Sequence, residues 1–212
     1  MLARIYQFTT EYRDYVWGGD RLRPGIIPTA EAWMIYEHNR VVAGPHSGRT
    51  LAELTAELGA QLLGQAVFDR SGGRFPLLIK LIDSVEWLSL QVHPNNEQAL
   101  RLEGPDFSGK NEAYHIVDAR PDSRLIAGLQ PGVTHAALES ALRSGTIIEL
   151  ARSLAVQPGD TLYMPAGTIH SLGPGLLIYE VQQSSDITYR VYDWGRPETP
   201  QRRLHIDKSL AV

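Results

Sequence analysis

The chain has 212 residues, no cysteine, and 20 Lys/Arg against 24 Asp/Glu, a formal charge of −4. That length can bury a sizeable core in one domain. The missing cysteines exclude disulfides and thiolate metal sites, so a bound metal must use nitrogen and oxygen donors. Basic residues are scattered apart from Arg202-Arg203, which reads as a solvated tail, so nothing suggests nucleic acid or an anionic membrane as partner. The N-terminus lacks an apolar signal core, and no stretch approaches the about 20 apolar residues of a membrane span. A cytoplasmic protein is expected.

Thirteen prolines, nineteen glycines and many short apolar runs predict a turn-rich β fold. Strand candidates come first, at Leu2–Phe8 and Glu31–Glu37. Thr50–Leu63 reads as a helix: Thr50 and Glu53 form a capping box, and Leu51, Leu54, Leu58 and Leu62 share one face. Pro76–Ile82 has the length of a buried strand. Leu88 to Pro94 alternates apolar and polar residues, and Asn95–Leu102 reads as a short helix capped by Asn95.

Glu112–Asp118 and Arg124–Leu129 look like a strand pair joined by Arg120-Pro121-Asp122-Ser123. A helical interlude covers Thr134–Arg143, ended by Gly145, and Thr146–Leu150, where Thr146 and Glu149 suggest a second capping box. Strands are predicted again at Ser153–Val156, Thr161–Met164, His170–Leu172, Leu176–Gln182 and Thr188–Asp193. Many short strands, with helices confined to insertions near 50–63 and 134–150, argue for a jelly roll spanning residues 1–212 as one domain.

Three segments carry chemistry. Period two puts Ser89, Gln91 and His93 on one face of the 88–94 strand, and Lys110, Glu112 and Tyr114 on one face of the next. Downstream, Gly159, Pro165, Gly167 and His170 make the spacing G-x5-P-x-G-x2-H. Pro165 fixes φ and Gly167 permits a positive φ, so a stiff turn delivers His170. Gln91, His93, Glu112 and His170 together offer two nitrogen and two oxygen donors, a set suited to a divalent ion such as Zn²⁺. His115 has the opposite parity to Glu112 and should point away. His38, His46, His135 and His205 lie in turn, helix or tail contexts and read as solvated.

The glycine- and proline-framed histidine matches the second signature motif of the cupin β-barrels. The wider pattern resembles the type I phosphomannose isomerases, zinc-dependent cupin enzymes. Trp17-Gly18-Gly19, Ala30-Glu31-Ala32-Trp33, Phe75 to Lys80, Leu88 to Pro94, Gly109 to Glu112, Pro165 to His170, Tyr179 to Gln183 and Thr188 to Asp193 carry the resemblance in order. It implies a cupin double-stranded β-helix, one Zn²⁺ per chain on Gln91, His93, Glu112 and His170, and a role in carbohydrate metabolism. The implied reaction interconverts mannose 6-phosphate and fructose 6-phosphate through an enediolate. Lys110 and Arg190 fall where the family places its substrate-binding and catalytic cations. Lys80 and Ser89 fall where some members hold the phosphate. Glu180 and Gln182 share a face and lean toward the ligands, with Glu180 a further candidate for substrate contact.

The proton-shuttling base stays open between Lys110, a metal-polarised water and Glu180. Two departures stand out. Related enzymes continue beyond the run that matches Arg203 to Lys208, whereas this sequence stops at Val212; the expectation is either a self-sufficient barrel or a missing wall that enlarges the pocket or invites a homodimer. Leu172 stands where larger members carry tyrosine. The rival readings are a metal-containing cupin that binds a sugar phosphate without turnover, and an Fe²⁺ oxygenase, which the carboxamide Gln91 disfavours.

Overall fold

The computed structural model describes residues 5–212. Strands β1 (Glu11–Arg13), β2 (Glu31–Ile35), β3 (Leu77–Ser84), β5 (Glu112–Ala119), β8 (Thr161–Met164) and β10 (Leu176–Gln183) form one antiparallel sheet in the order β1-β2-β3-β10-β5-β8. Strands β4 (Leu90–Val92), β6 (Arg124–Leu129), β7 (Ala151–Ala155), β9 (His170–Leu172) and β11 (Tyr189–Tyr192) form a second, in the order β11-β4-β9-β6-β7. The two sheets of this mainly β, cupin-type fold pack their inner faces together. Ile82, Ile116, Met164 and Ile178 from the first meet Leu125 and Leu172 from the second.

The outer face of the second sheet is also buried. Leu90, Val92, Tyr189 and Val191 point outward from the barrel and pack on Ala99 of helix α4 (Asn96–Glu103) and on Ala141 and Leu142 of α5 (His135–Ser144). With the odd-even alternation of a strand, this outward set forces Gln91 and Arg190 to the inside. The helices therefore fix the parity of the strands that carry site residues.

Several local expectations hold in detail. Thr50 and Glu53 bond reciprocally at the start of α1 (Leu51–Leu58), and Asn95 and Gln98 do the same at α4. Thr134 caps α5, which ends at Gly145 in the left-handed region. Others need correction. The helix predicted over 50–63 breaks at Gly59, whose φ of 50° no longer continues α1; a short α2 (Ala60–Leu63) follows, and after Gly64 an unpredicted α3 (Gln65–Ser71). Thr146 makes no side-chain cap, because its hydroxyl meets Ser144 instead, and Ile147–Leu150 is a 3₁₀ turn.

The Glu112–Asp118 and Arg124–Leu129 segments are strands but not partners. β5 pairs β10 and β8, while β6 pairs β7 and β9, so the turn at 120–123 crosses between sheets. Residues 2–4 of the strand candidate Leu2–Phe8 lie outside the described residues; within the rest, Phe8 makes one isolated bridge to Val41. The first strand is β1, and a last helix, α6 (Ile206–Leu210), also went unpredicted. No helix among the described residues is long and apolar enough to cross a membrane.

Gly109, just before Lys110, shows how tightly one approach is built. A Cβ there would lie 2.4 Å from the Asn95 carbonyl carbon and 2.5 Å from the Asn96 nitrogen, both backbone. The Gly109 N–H donates to Asn96 Oδ1 at 2.9 Å, and the Lys110 N–H to the Pro94 carbonyl at 3.0 Å. Gly109→Ala is expected to lower stability by about 1–3 kcal/mol through this overlap, read as a lower urea midpoint at unchanged slope.

Candidate active site

Register places the polar residues in rows. In the second sheet, Arg190 of β11 pairs with Gln91 of β4, and Gln91 pairs with His170 of β9, so three inward side chains stand abreast. In the first sheet, Trp33, Lys80, Glu180 and Tyr114 form a row across β2, β3, β10 and β5. Glu112 stands in the next row, between Gln182 and Met164. Both sheets open onto one cavity of about 580 Å³, lined by Lys80, Ser89, Gln91, Lys110, Glu112, Glu180 and Arg190 among others.

The turn before His170 is stitched to the other motif segments. The Gly167 N–H donates to the His93 carbonyl at 2.8 Å, and the Ala166 N–H to Asn111 Oδ1 at 3.0 Å. Gly167 has φ 82°, the left-handed conformation that the spacing anticipated. Asn111, between Lys110 and Glu112, is itself held by Gln183 Oε1. The three histidine- and glutamate-bearing segments thus share one hydrogen-bonded frame.

Within that frame, His93, Glu112 and His170 each bring one donor atom, all within 4.8 Å of one another. His93 Nε2 lies 3.4 Å from Glu112 Oε1, and His170 Nε2 lies 3.1 Å from Glu112 Oε2. The ring nitrogens of His93 are buried without a hydrogen-bond partner. His170 Nδ1 sits 2.9 Å from the Thr168 carbonyl, so Nδ1–H donates there and Nε2 is turned toward the carboxylate. The Gln91 amide ends 3.3 Å from His170 Nε2, and exchanging its O and N brings the oxygen to the same point. Burial, and then the Lys110 ammonium, push the His93 pKa down to about 3, which keeps the imidazole neutral as a ligand must be. The donor set fits a divalent metal ion.

Charge around this group is dense and almost dry. Lys80 Nζ lies 3.2 Å from Glu180 and 3.4 Å from Glu31, and Lys110 Nζ lies 3.0 Å from Glu112. Trp33 Nε1 donates to the other oxygen of Glu31 at 2.5 Å. Burial would lower Lys80, but Glu180 and Glu31 outweigh it and raise its pKa. Burial would raise Glu112, but Lys110 together with the contacts from His93 and His170 outweighs it and holds that carboxyl well below its usual range. Glu180 moves the other way, raised by burial despite Lys80, with Glu112 adding repulsion.

Arg190 contributes a different kind of charge. It makes no ion pair among the described residues; its Nε is buried without a partner, and Nη1 donates to the Arg203 carbonyl at 3.2 Å. Burial and the neighbouring Arg202 lower its pKa, yet a guanidinium remains charged. The expectation of a solvated Arg202-Arg203 tail fails at Arg202. Its guanidinium clasps buried Asp193 at 2.6 and 2.9 Å and lines the cavity. His205 is likewise not a loose tail residue, because its Nδ1 accepts from the Arg190 N–H and its ring faces the cavity. The segment after β11 folds back over the barrel mouth, a path that no local pattern announces.

All of the candidate residues come to the one site. His115 is exposed as parity demanded, bonded to Thr161. Sequence reading left without a role Glu31, which partners Lys80, and Tyr114, whose hydroxyl donates to Glu112 Oε2 in a very short contact. Both stand at inward positions beside motif residues, so parity alone could have raised them.

Residues 5–116 match the family model described as phosphomannose isomerase type I, catalytic domain. The chain belongs to the type I phosphomannose isomerases. It is 39% identical to the mannose-6-phosphate isomerase ManA of Bacillus subtilis over 97% of this chain and 66% of that protein. It is 38% identical to the mannose-6-phosphate isomerase of Streptococcus mutans over 93% of this chain and 64% of the relative. Its fold is similar to the crystal structure of the Bacillus subtilis mannose 6-phosphate isomerase, with a TM-score of 0.87 at 35% identity, covering 97% of this chain and 67% of that one. The chain thus spans just under two thirds of the length of these curated relatives.

The Glu31–Lys80–Glu180 network also bears on stability. Replacing Lys80 with methionine would leave two buried carboxylates without their cation. Lys80→Met is expected to cost about 3–5 kcal/mol in urea unfolding near neutral pH. A cost below about 1 kcal/mol would show that Lys80 does not neutralise them.

Proposed function

We propose that this chain is a metal-dependent aldose–ketose isomerase interconverting mannose 6-phosphate and fructose 6-phosphate. The observation that carries the reading is one cavity that joins a His/Glu/His/Gln donor set to an arginine with no carboxylate partner. An oxygen-rich anionic ligand fits both ends. The lengthwise similarity to proteins named mannose-6-phosphate isomerase supports the same substrate. We take residues 1–212 as one catalytic unit working in the cytoplasm, with zinc as the resident ion.

Gln91, His93, Glu112 and His170 would hold the ion. When bound, it supplies Lewis-acid polarisation of the sugar oxygens at C1 and C2. The chain's own residues do the rest. Lys80 and Glu180 from the first sheet and Ser89 just before β4 contact the sugar phosphate. Isomerisation removes a proton from one of these two carbons and returns it to the other, with negative charge growing on the oxygens between. Lys110, 3.0 Å from Glu112, and Arg190, beside Gln91 in register, bring positive charge to that region from opposite sheets. Neither can ligate zinc while protonated, so they act on the substrate and not on the ion. Lys110 and Glu180 are the protein groups at hand to carry the proton. Burial by both sheets removes bulk water and strengthens each of these interactions.

Purified protein is expected to carry about one divalent ion per chain. Chelation should abolish isomerase activity, with zinc restoring it. His170→Ala should lose the ion; full metal occupancy in that variant would remove His170 from the ligand set.

Lys110→Ala and Arg190→Ala should each lower kcat/KM by about a hundredfold or more while retaining zinc. Coupled steady-state assays with parallel metal analysis decide this. Near-wild-type turnover in both variants would leave only a metal-binding barrel, and binding of the sugar phosphate without turnover by the unmodified protein would replace the enzyme reading with a sensor.

A further inference from the structure

Tyr114 is two residues beyond Glu112 on β5, so both side chains point into the barrel. Its ring is 2% exposed and belongs to the core between the sheets. Its hydroxyl, however, donates to Glu112 Oε2, its one hydrogen bond among the described residues. The ring also faces His170, with centroids 6.3 Å apart. One side chain therefore touches two of the residues assigned to the ion.

We infer that Tyr114 is a positioning residue for Glu112, and that its hydroxyl sets how tightly this chain holds its divalent cation. This rests on the metal reading above. A carboxylate offers about four lone-pair directions. On Glu112, Lys110 occupies one at Oε1 and Tyr114 one at Oε2. The oxygens still face His93 and His170, where the ion would lie. The two outer donors thus hold the carboxylate in one rotation with an oxygen toward each imidazole. Without Tyr114 one of these two outer donors is gone, and an ammonium on a flexible stem fixes direction less well than a phenol packed in a core. For packing alone phenylalanine would serve equally; what phenylalanine lacks is the donor.

Tyr114→Phe separates the two roles. Zinc affinity would be measured by competition with a chromophoric chelator, at neutral pH and without sugar, on the unmodified protein and the variant. The expected result is zinc binding weakened about 10- to 100-fold, with the metal-free variant still unfolding in one cooperative transition. An affinity within about twofold of the unmodified protein would overturn the inference while leaving the metal site standing. Failure of the unmodified protein to bind zinc would overturn both. Should the phenylalanine variant not fold, Tyr114→Met, which also fills the space without a donor, is read in the same way.

Discussion

The structure turns on a single buried carboxylate. Glu112 is 2% exposed and meets Lys110, Tyr114, His93 and His170 at once. A lone carboxylate moved into such surroundings would be protonated or expelled. Here the Lys110 ammonium and the two histidines together outweigh the burial, and the group stays ionised. An ionised glutamate facing two imidazoles is an attractive place for a divalent cation. Much of the nearby architecture reads as what keeps these groups together without water.

That architecture is made of backbone registers. The Gln91–His170 and Gln91–Arg190 pairings bring one sheet's polar residues abreast, and the Glu180–Lys80 and Glu180–Tyr114 pairings do so for the other. The covering helices on the second sheet fix which residues face inward. A slip of one position would turn Gln91 and Arg190 out toward Ala99 and Leu142 and bring leucine and valine into the cavity. Packing on the far side of a sheet thus protects the chemistry on the near side. The chain after β11 adds the last wall, with Asp193 clasping Arg202 and His205 bonded to the Arg190 backbone.

The electrostatic logic also separates the cations. Lys80 is spent on Glu31 and Glu180, and Lys110 on Glu112. Arg190 alone of the three has no carboxylate beside it, although Asp193 lies near enough to compensate Arg202. A cavity whose lysines are already engaged, with one guanidinium left without a carboxylate next to a metal-type donor set, suits an anion.

Much of this was legible in the residues. Parity put Gln91 with Ser89 and Glu112 with Lys110 on inward faces and turned His115 out. The Pro165/Gly167 turn, the Thr50 and Asn95 caps and the strand limits at 124–129, 161–164 and 170–172 follow from local steric and hydrogen-bonding rules that act over a few residues. What was misread depended on partners distant in the chain. The 120–123 turn joins strands in different sheets, and local pattern is the same for a hairpin and a crossover. Gly59 breaks a helix whose leucine spacing still looked continuous. Glu31 acquires its role only when β2 lies beside β3, and Arg202 only when the tail returns over the mouth. The sequence by itself determined the element types, the inward residues and the metal-type donors, because these rest on period, φ and side-chain chemistry. Tertiary structure decided which charges neutralise one another and which one remains, because Coulomb interaction between buried groups depends on distances that only the assembled sheets set.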